Sequence, residues 1–434
     1  MLKYYSILIT SIIILLPSCN NSKKLEKKER KIDTTITIEK DYKPDYKNIF
    51  EAVDKEDFKA VKYFIENQGV FVNVINDNKQ RKTILMEAAK IGNAEIITYL
   101  LEKGADIYLK DFQEKSVLQY AVLSKQLGTV KGFLKRGLEI NHQDIFGNTA
   151  VIYATKANDL NMVKYLVQEN ANLNLKNKKG ETAIFFATQN NNLEMVKLLN
   201  EYGLSLKSVN INNENLFFYA SGETVASYLY RKGIDINLLN THNQTALFRY
   251  IDNNNLKMVG FFYRKSGDVN IEDNNGDNSV IYATKKQKAD IIDFLYRHNV
   301  NLNQVNSKGE SVIHYAWNLG SIKFFYRHNV DITKQNLFGK DKLMMLAESG
   351  KLTIKTFKYF IQHHYDVNAN DNDEMYIIHY IIKYGTIDML KYLVQNHANL
   401  EIKIKNKNLL EYAKEQGKNS MYKYLKKYVK TDLY

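Results

Sequence analysis

The stretch DIFGNTAVIYA at residues 144–154 returns thirty-three residues later as NKKGETAIFFA at residues 177–187, and again as NSKGESVIHYA at residues 306–316. After the first copy come Met162, Val163 and Leu166, and after the second Met195, Val196 and Leu199, so each unit carries two apolar runs at helical spacing. Aligning all units on the threonine gives Lys47, Thr83, Ser116, Thr149, Thr182, Asn215, Thr245, Asn278, Ser311, Asp341, Tyr376 and Asn408. The successive spacings are 36, 33, 33, 33, 33, 30, 33, 33, 30, 35 and 32 residues. One repeated supersecondary unit therefore accounts for almost the whole chain.

Each recurring residue has a mechanical reading. A threonine or serine oxygen accepts an orphan N–H at the start of the first helix. Five residues on stand Ala88, Ala121, Ala154, Ala187, Ala220 and Ala316, small enough for close packing between helices. The second helix brings paired aliphatics such as Ile96-Ile97 and Leu100-Leu101. Gly104, Gly137, Gly203 and Gly233 follow it, at positions suited to a left-handed cap. Asn170, Asn299, Asn329, His364 and His397 take the same place in other units.

This pattern resembles the ankyrin repeat. The resemblance implies an all-α repeat solenoid of about twelve ankyrin repeats over residues 47–430, helix pairs with short β-hairpin fingers, capped at both ends. It further implies protein recognition through the finger tips and the concave helix face. The family's usual proline after the threonine is missing throughout; Ala150, Ala183 and Ile84 are examples of what replaces it. Two units, at Asn215 and Ser311, are three residues short and are expected to lose the loop between their paired helices.

The amino terminus reads differently. Lys3 precedes a mostly apolar run from Tyr4 to Leu16, too short to span a bilayer and suited to a secretory signal. The closing Leu16-Pro17-Ser18-Cys19 resembles a bacterial lipobox. That resemblance implies a signal peptide over residues 1–18, a diacylglycerol on Cys19, and often a further palmitate-like chain on the new amine. Two or more buried acyl chains give stable anchoring. Residues 19–46, with Lys23, Lys24, Lys27, Lys28, Arg30 and Lys31, are expected to form a flexible basic tether, and residues 431–434 a carboxy-terminal tail.

Composition narrows the chemistry. Cys19 is the sole cysteine, which rules out an internal disulfide and a cysteine metal cluster. No phosphate-binding glycine loop, zinc-binding histidine spacing or strained-turn serine occurs, so no catalytic residue, metal or cofactor is expected. His314 and His379 fall where the family carries a structural histidine, and His298, His328, His363, His364 and His397 fall at second-helix ends. Asp371 and Asp373 are expected on a solvated finger. The net charge of +13 permits anionic partners, but nucleic acid is not expected to meet an exported, lipid-held protein.

Two features suggest binding. Phe112, Ile145, Phe146, Leu337 and Phe338 stand at finger tips where polar residues are usual. Arg231, Arg264, Arg297 and Arg327, each after a tyrosine, recur in four consecutive units and are expected to stack as a basic ladder. The reading is a non-enzymatic scaffold, held at a membrane of the bacterial cell envelope and binding a protein partner. A surface-exposed adhesin or host-interaction factor is one alternative. An accessory or protective subunit of a periplasmic stress-response enzyme is another.

Overall fold

The computed structural model describes residues 42–76 and 80–429. The chain divides into two units between Asp45 and Tyr46, and the architecture below is that of the second. The expected signal peptide, Cys19, residues 20–41 of the tether and the tail at 431–434 lie outside the described residues.

Among the described residues, 22 α-helices and two 3-10 turns pair into twelve successive units of an all-α repeat solenoid. The unit that starts at Thr182 shows the plan, with a first helix Ala183–Gln189 and a second helix Leu193–Glu201. No β-strand forms among these residues; the fingers carry only isolated bridges such as Lys110 with Ser116 and Asn370 with Tyr376.

The first helix is short, so its capping matters. Thr83, Ser116 and Thr149 each accept the N–H three residues on, and Asn278, Asp341 and Asn408 do the same in units without threonine. The first unit corrects the alignment by one residue: Asn48, not Lys47, caps helix Ile49–Asp54. Lysine has no acceptor to offer at that position. Thr182 and Thr245 sit at the cap without making the bond, their hydroxyls buried and unpartnered among the described residues.

Packing follows the repeat. Ala88, Ala121, Ala154 and Ala187 are wholly buried where consecutive first helices meet, and Ile96, Leu100, Val163, Leu166, Val196 and Leu199 line the second-helix side of the same core. Thr155, Thr188 and Thr284 are also fully buried, each donating to the carbonyl four residues back at 2.7–2.8 Å. A hydroxyl that bonds its own helix adds no unpaired group to the core.

The chain must turn left-handed to close each unit. Gly104, Gly137, Gly203 and Gly233 have φ of +71° to +98°, and Asn170, Asn299, Asn329, His364 and His397 take the same conformation with φ of +59° to +64°. Ser266 does so as well, which its sequence does not advertise.

The two short units differ from expectation. The connector is still three residues long, Ala220 to Gly222 and Ala316 to Asn318. The three missing residues come from the first helix, which shrinks from seven residues to the 3-10 turns Leu216–Tyr219 and Val312–Tyr315. Ordinary connectors pass through a left-handed residue such as Asn191 or Gln287, whereas Gly222 and Asn318 are extended. An extended connector reaches further per residue, so it lets the second helix start sooner.

Finger glycines give a direct test. A Cβ on Gly276, at φ +73°, would lie 2.6 Å from the backbone nitrogen of Ser307 in the next finger. A Cβ on Gly104, at φ +87°, would meet nothing within 4 Å. Gly276→Ala is therefore expected to cost about 2–3 kcal/mol locally, and Gly104→Ala about 1 kcal/mol. Hydrogen exchange at the Ser307 amide, which bonds across fingers, reads the first cost, and exchange at the Ala105 amide, which bonds to Leu100 at the Gly104 cap, reads the second.

Candidate protein-binding surface

The fingers are built around one residue that the sequence repeats without exception from the third unit to the eleventh. Five residues before each cap stands an Asp or Asn: Asp111, Asp144, Asn177, Asn210, Asn240, Asp273, Asn306, Asn336 and Asp371. In every case its Oδ1 accepts two backbone N–H groups, two and four residues on. For Asp144 these come from Phe146 at 3.0 Å and Asn148 at 2.8 Å; for Asn336, from Phe338 at 2.9 Å and Lys340 at 3.0 Å. The side chain thus imposes the turn on the backbone.

In three of the four aspartate fingers the second oxygen is held too; in the fourth, Asp273 has only the Gln244 and Asn275 amides, at 3.4 and 3.5 Å. Tyr120, Tyr153 and Tyr380 on the first helix donate to Asp111, Asp144 and Asp371 at 2.5–2.6 Å. Burial first, and then the carboxylate, pushes all three phenols far above their ordinary range. Asp371 is accordingly buried and fully bonded, not solvated as expected, while Asp373 is exposed.

Neighbouring fingers are joined by a single backbone bond each. The N–H of the residue after the Asp or Asn donates to a carbonyl of the preceding finger. The series runs Phe112 to Gln80, Ile145 to Gln113, Lys178 to Phe146, Ile211 to Lys179, Thr241 to Asn212, Asn274 to His242, Ser307 to Asn275, Leu337 to Lys308 and Asn372 to Phe338, all at 2.9–3.1 Å. Backbone bonded in this way leaves the tip side chains facing water on a fixed base.

Those tips are where the anticipated apolar residues stand. Phe112 is 68% exposed, Phe146 48%, Leu337 66% and Phe338 61%. Ile145 is half-buried. Leu337 packs over Gly309 of the preceding finger, yet most of its surface stays open. Sequence reading missed Ile211, 65% exposed at the same place in its finger, whose polar neighbours Asn210 and Asn212 disguise it. Fingers at Lys178-Lys179, Thr241-His242, Asn274-Asn275 and Ser307-Lys308 are polar, so the apolar tips form three groups along the row, at Phe112 to Phe146, at Ile211, and at Leu337-Phe338.

Behind the fingers, first-helix side chains tie unit to unit. Glu181 accepts from Tyr219 at 2.5 Å and from Asn177 at 2.7 Å. Asp277 accepts from Asn306 at 2.8 Å and pairs with Lys285. Gln119 accepts the Ser116 N–H at 2.9 Å and donates to the Asn148 carbonyl at 2.7 Å in the next finger. His314 and His379 occupy the same helical position, and their Nδ1 atoms accept the N–H groups of Ser311 and Tyr376 at 3.0 and 3.1 Å. Burial disfavours the charged form of both, lowering His314 below its ordinary value and His379 to about 4.

Three other histidines are ring partners. His298, His328 and His363 donate from Nδ1 to the carbonyl four residues back at 2.6–2.7 Å. Each ring lies against an aromatic of its own helix and a tyrosine of the preceding unit, such as Phe294 and Tyr263 around His298 at 4.0 and 4.5 Å. The four arginines of the anticipated ladder are exposed at equivalent helix ends. Two are engaged: Arg264 pairs with Glu223 of the preceding unit and Arg297 with Asp293 of its own helix, both at 2.9 Å. No group of three potential metal ligands occurs among the described residues.

Ankyrin repeats, described as three copies per match, cover residues 49–144, 118–215, 247–336 and 343–433. The chain belongs to the ankyrin-repeat family. The longer of the two gaps between matches, residues 216–246, begins with the first of the two shortened helices. No curated protein matches the chain.

Asp341 provides a pH test of the array. It caps helix Lys342–Glu348, accepting from Met344 at 2.9 Å and from the Tyr365 hydroxyl at 2.6 Å. Burial raises its carboxyl to about 6, above its unfolded value near 3.8. The folded state then binds the proton more tightly, so stability from this group is full below about pH 4 and is lost as pH rises through 6. Asp341→Asn keeps an acceptor and removes the titration. At pH 7.5 it should raise protection of the Met344 amide by up to about 2–3 kcal/mol relative to the parent. At pH 4.5 the gain should largely vanish, as hydrogen exchange at the two pH values will show.

Proposed function

We propose that the protein is a non-enzymatic scaffold that captures a protein partner on its finger row, while a lipid on Cys19 holds it at a membrane of the bacterial cell envelope. Ankyrin repeats generally mediate protein–protein interaction, and the present chain belongs to that family. The observation that carries the reading is the exposure of Phe112, Phe146, Ile211, Leu337 and Phe338 on one backbone-bonded edge. Aromatic side chains on a pre-organised base bind with little loss of conformational freedom.

The anchor rests on the amino-terminal sequence, Leu16-Pro17-Ser18-Cys19. No helix among the described residues is long and apolar enough to cross a membrane. A tethered binder keeps a high effective concentration for partners on the same surface.

Two experiments test the two parts separately. In-cell crosslinking followed by recovery of the protein should yield one dominant partner. Phe146→Glu with Phe338→Glu should reduce that capture about 30-fold or more, with stability changed by about 0.5 kcal/mol or less per site. Retained capture by the double variant would remove the finger row from the account. Cys19→Ala should move the protein out of the membrane fraction and abolish incorporation of labelled palmitate; unchanged fractionation would remove the lipid anchor.

A further inference from the structure

The two shortened units solve the same geometric problem differently. In the first, the connector is sealed: Ser221 donates to the Gln189 carbonyl at 2.7 Å, and Asn191 accepts the Val225 N–H at 3.1 Å. Gly222 lies so close to Asn191 that a Cβ would fall 2.5 Å from its amide nitrogen. In the second, Trp317 replaces Ser221, and Gln287, the counterpart of Asn191, is exposed. A cleft of about 410 Å³ opens there between helix Ala289–Arg297 and helix Leu319–Arg327.

One wall is hydrogen-bonded within itself and the lining is mixed. The Trp317 and Asn318 N–H groups both donate to Ser321 Oγ, at 3.0 and 3.1 Å, and Ser321 N–H donates back to Asn318 at 2.8 Å. Buried Ile292 and Phe325 lie beneath, and half-buried Trp317 and Phe324 border the opening. The rim on helix Ala289–Arg297 carries Asp290 and Asp293. Asp293 is paired with Arg297, whereas Asp290 is exposed and has no cation within 4 Å among the described residues.

We propose that this cleft binds a small organic ammonium ion, its apolar body against Trp317 and Phe324 and its charge directed to Asp290. Aromatic faces and a carboxylate both attract a cation, and they favour one whose charge is spread over alkyl groups that can shed water. A bare metal ion would need more oxygen ligands than the cleft offers. An anion would face the open Asp290 with the one guanidinium already engaged. The size lies within the usual range for small-molecule sites. The cleft contains no finger residue, so the inference stands apart from the proposed partner surface.

Trp317 is the only tryptophan in the chain, so its emission reports on the cleft alone. The intact protein is titrated with choline and, separately, with the uncharged isostere 3,3-dimethyl-1-butanol. Choline is expected to change the emission saturably, with half-saturation on the order of a few millimolar for so small a ligand. The alcohol should give no saturable change in that range. Asp290→Asn should weaken choline about tenfold, and Ala289→Lys, which puts a cation on the rim at an exposed site, should do the same. Far-UV circular dichroism checks that both variants keep the parent fold. An unchanged emission with choline, equal binding of the alcohol, or choline affinity unchanged from the parent in either folded variant would overturn the assignment.

Discussion

A single backbone hydrogen bond between adjacent fingers, repeated nine times at 2.9–3.1 Å, sets the register of the array. It forms only if each finger turns sharply enough to present one N–H forward and one carbonyl behind. That turn is imposed by the Asp or Asn five residues before the cap, whose Oδ1 collects two N–H groups. Removing the acceptor would leave those donors to water and release the tip, since a short turn without a strand ladder has little else to hold it. In a solenoid each unit leans on its neighbours, so local geometry of this kind propagates as a sum of interface terms.

The same constraint explains which side chains remain available for recognition. Once the backbone of a tip is bonded, the residue after the Asp or Asn and the one following it point away from the core. Where those residues are Lys178-Lys179 or Asn274-Asn275, the edge is ordinary solvated surface. Where they are Ile145-Phe146 or Leu337-Phe338, apolar surface is held open by the fold instead of collapsing into it. The proposed role in capture follows from that enforced exposure, and the family's general use of such repeats agrees with it.

Much of this was legible in the chain because the repeat is read many times over. The period, the capping residues from Thr83 to Asn408, the buried alanines and the left-handed Gly and Asn positions all emerge from alignment of the units with one another. What escaped was whatever one unit does alone or whatever polarity disguises. Asn48 replaced Lys47 because a cap needs an acceptor, which spacing does not reveal. The Asp and Asn of the fingers look like loop residues until their two N–H partners are seen, and Asp371 looked solvated for that reason. The three-residue deletions read as lost loop, but an extended connector spared the loop and removed a helical turn. Trp317, a lone aromatic in that connector, has no equivalent in other units from which its cleft could be read.

The central claim is that the finger row, and not the outer helices, meets the partner. Site-specific photo-crosslinking in living cells tests it most directly, with the reactive group placed at Phe146, at Phe338, or at Gln168 on an exposed second-helix surface. The account predicts one discrete adduct of the same partner from positions 146 and 338 and none from 168. Adducts from 168 alone, or equally from all three positions, would contradict it.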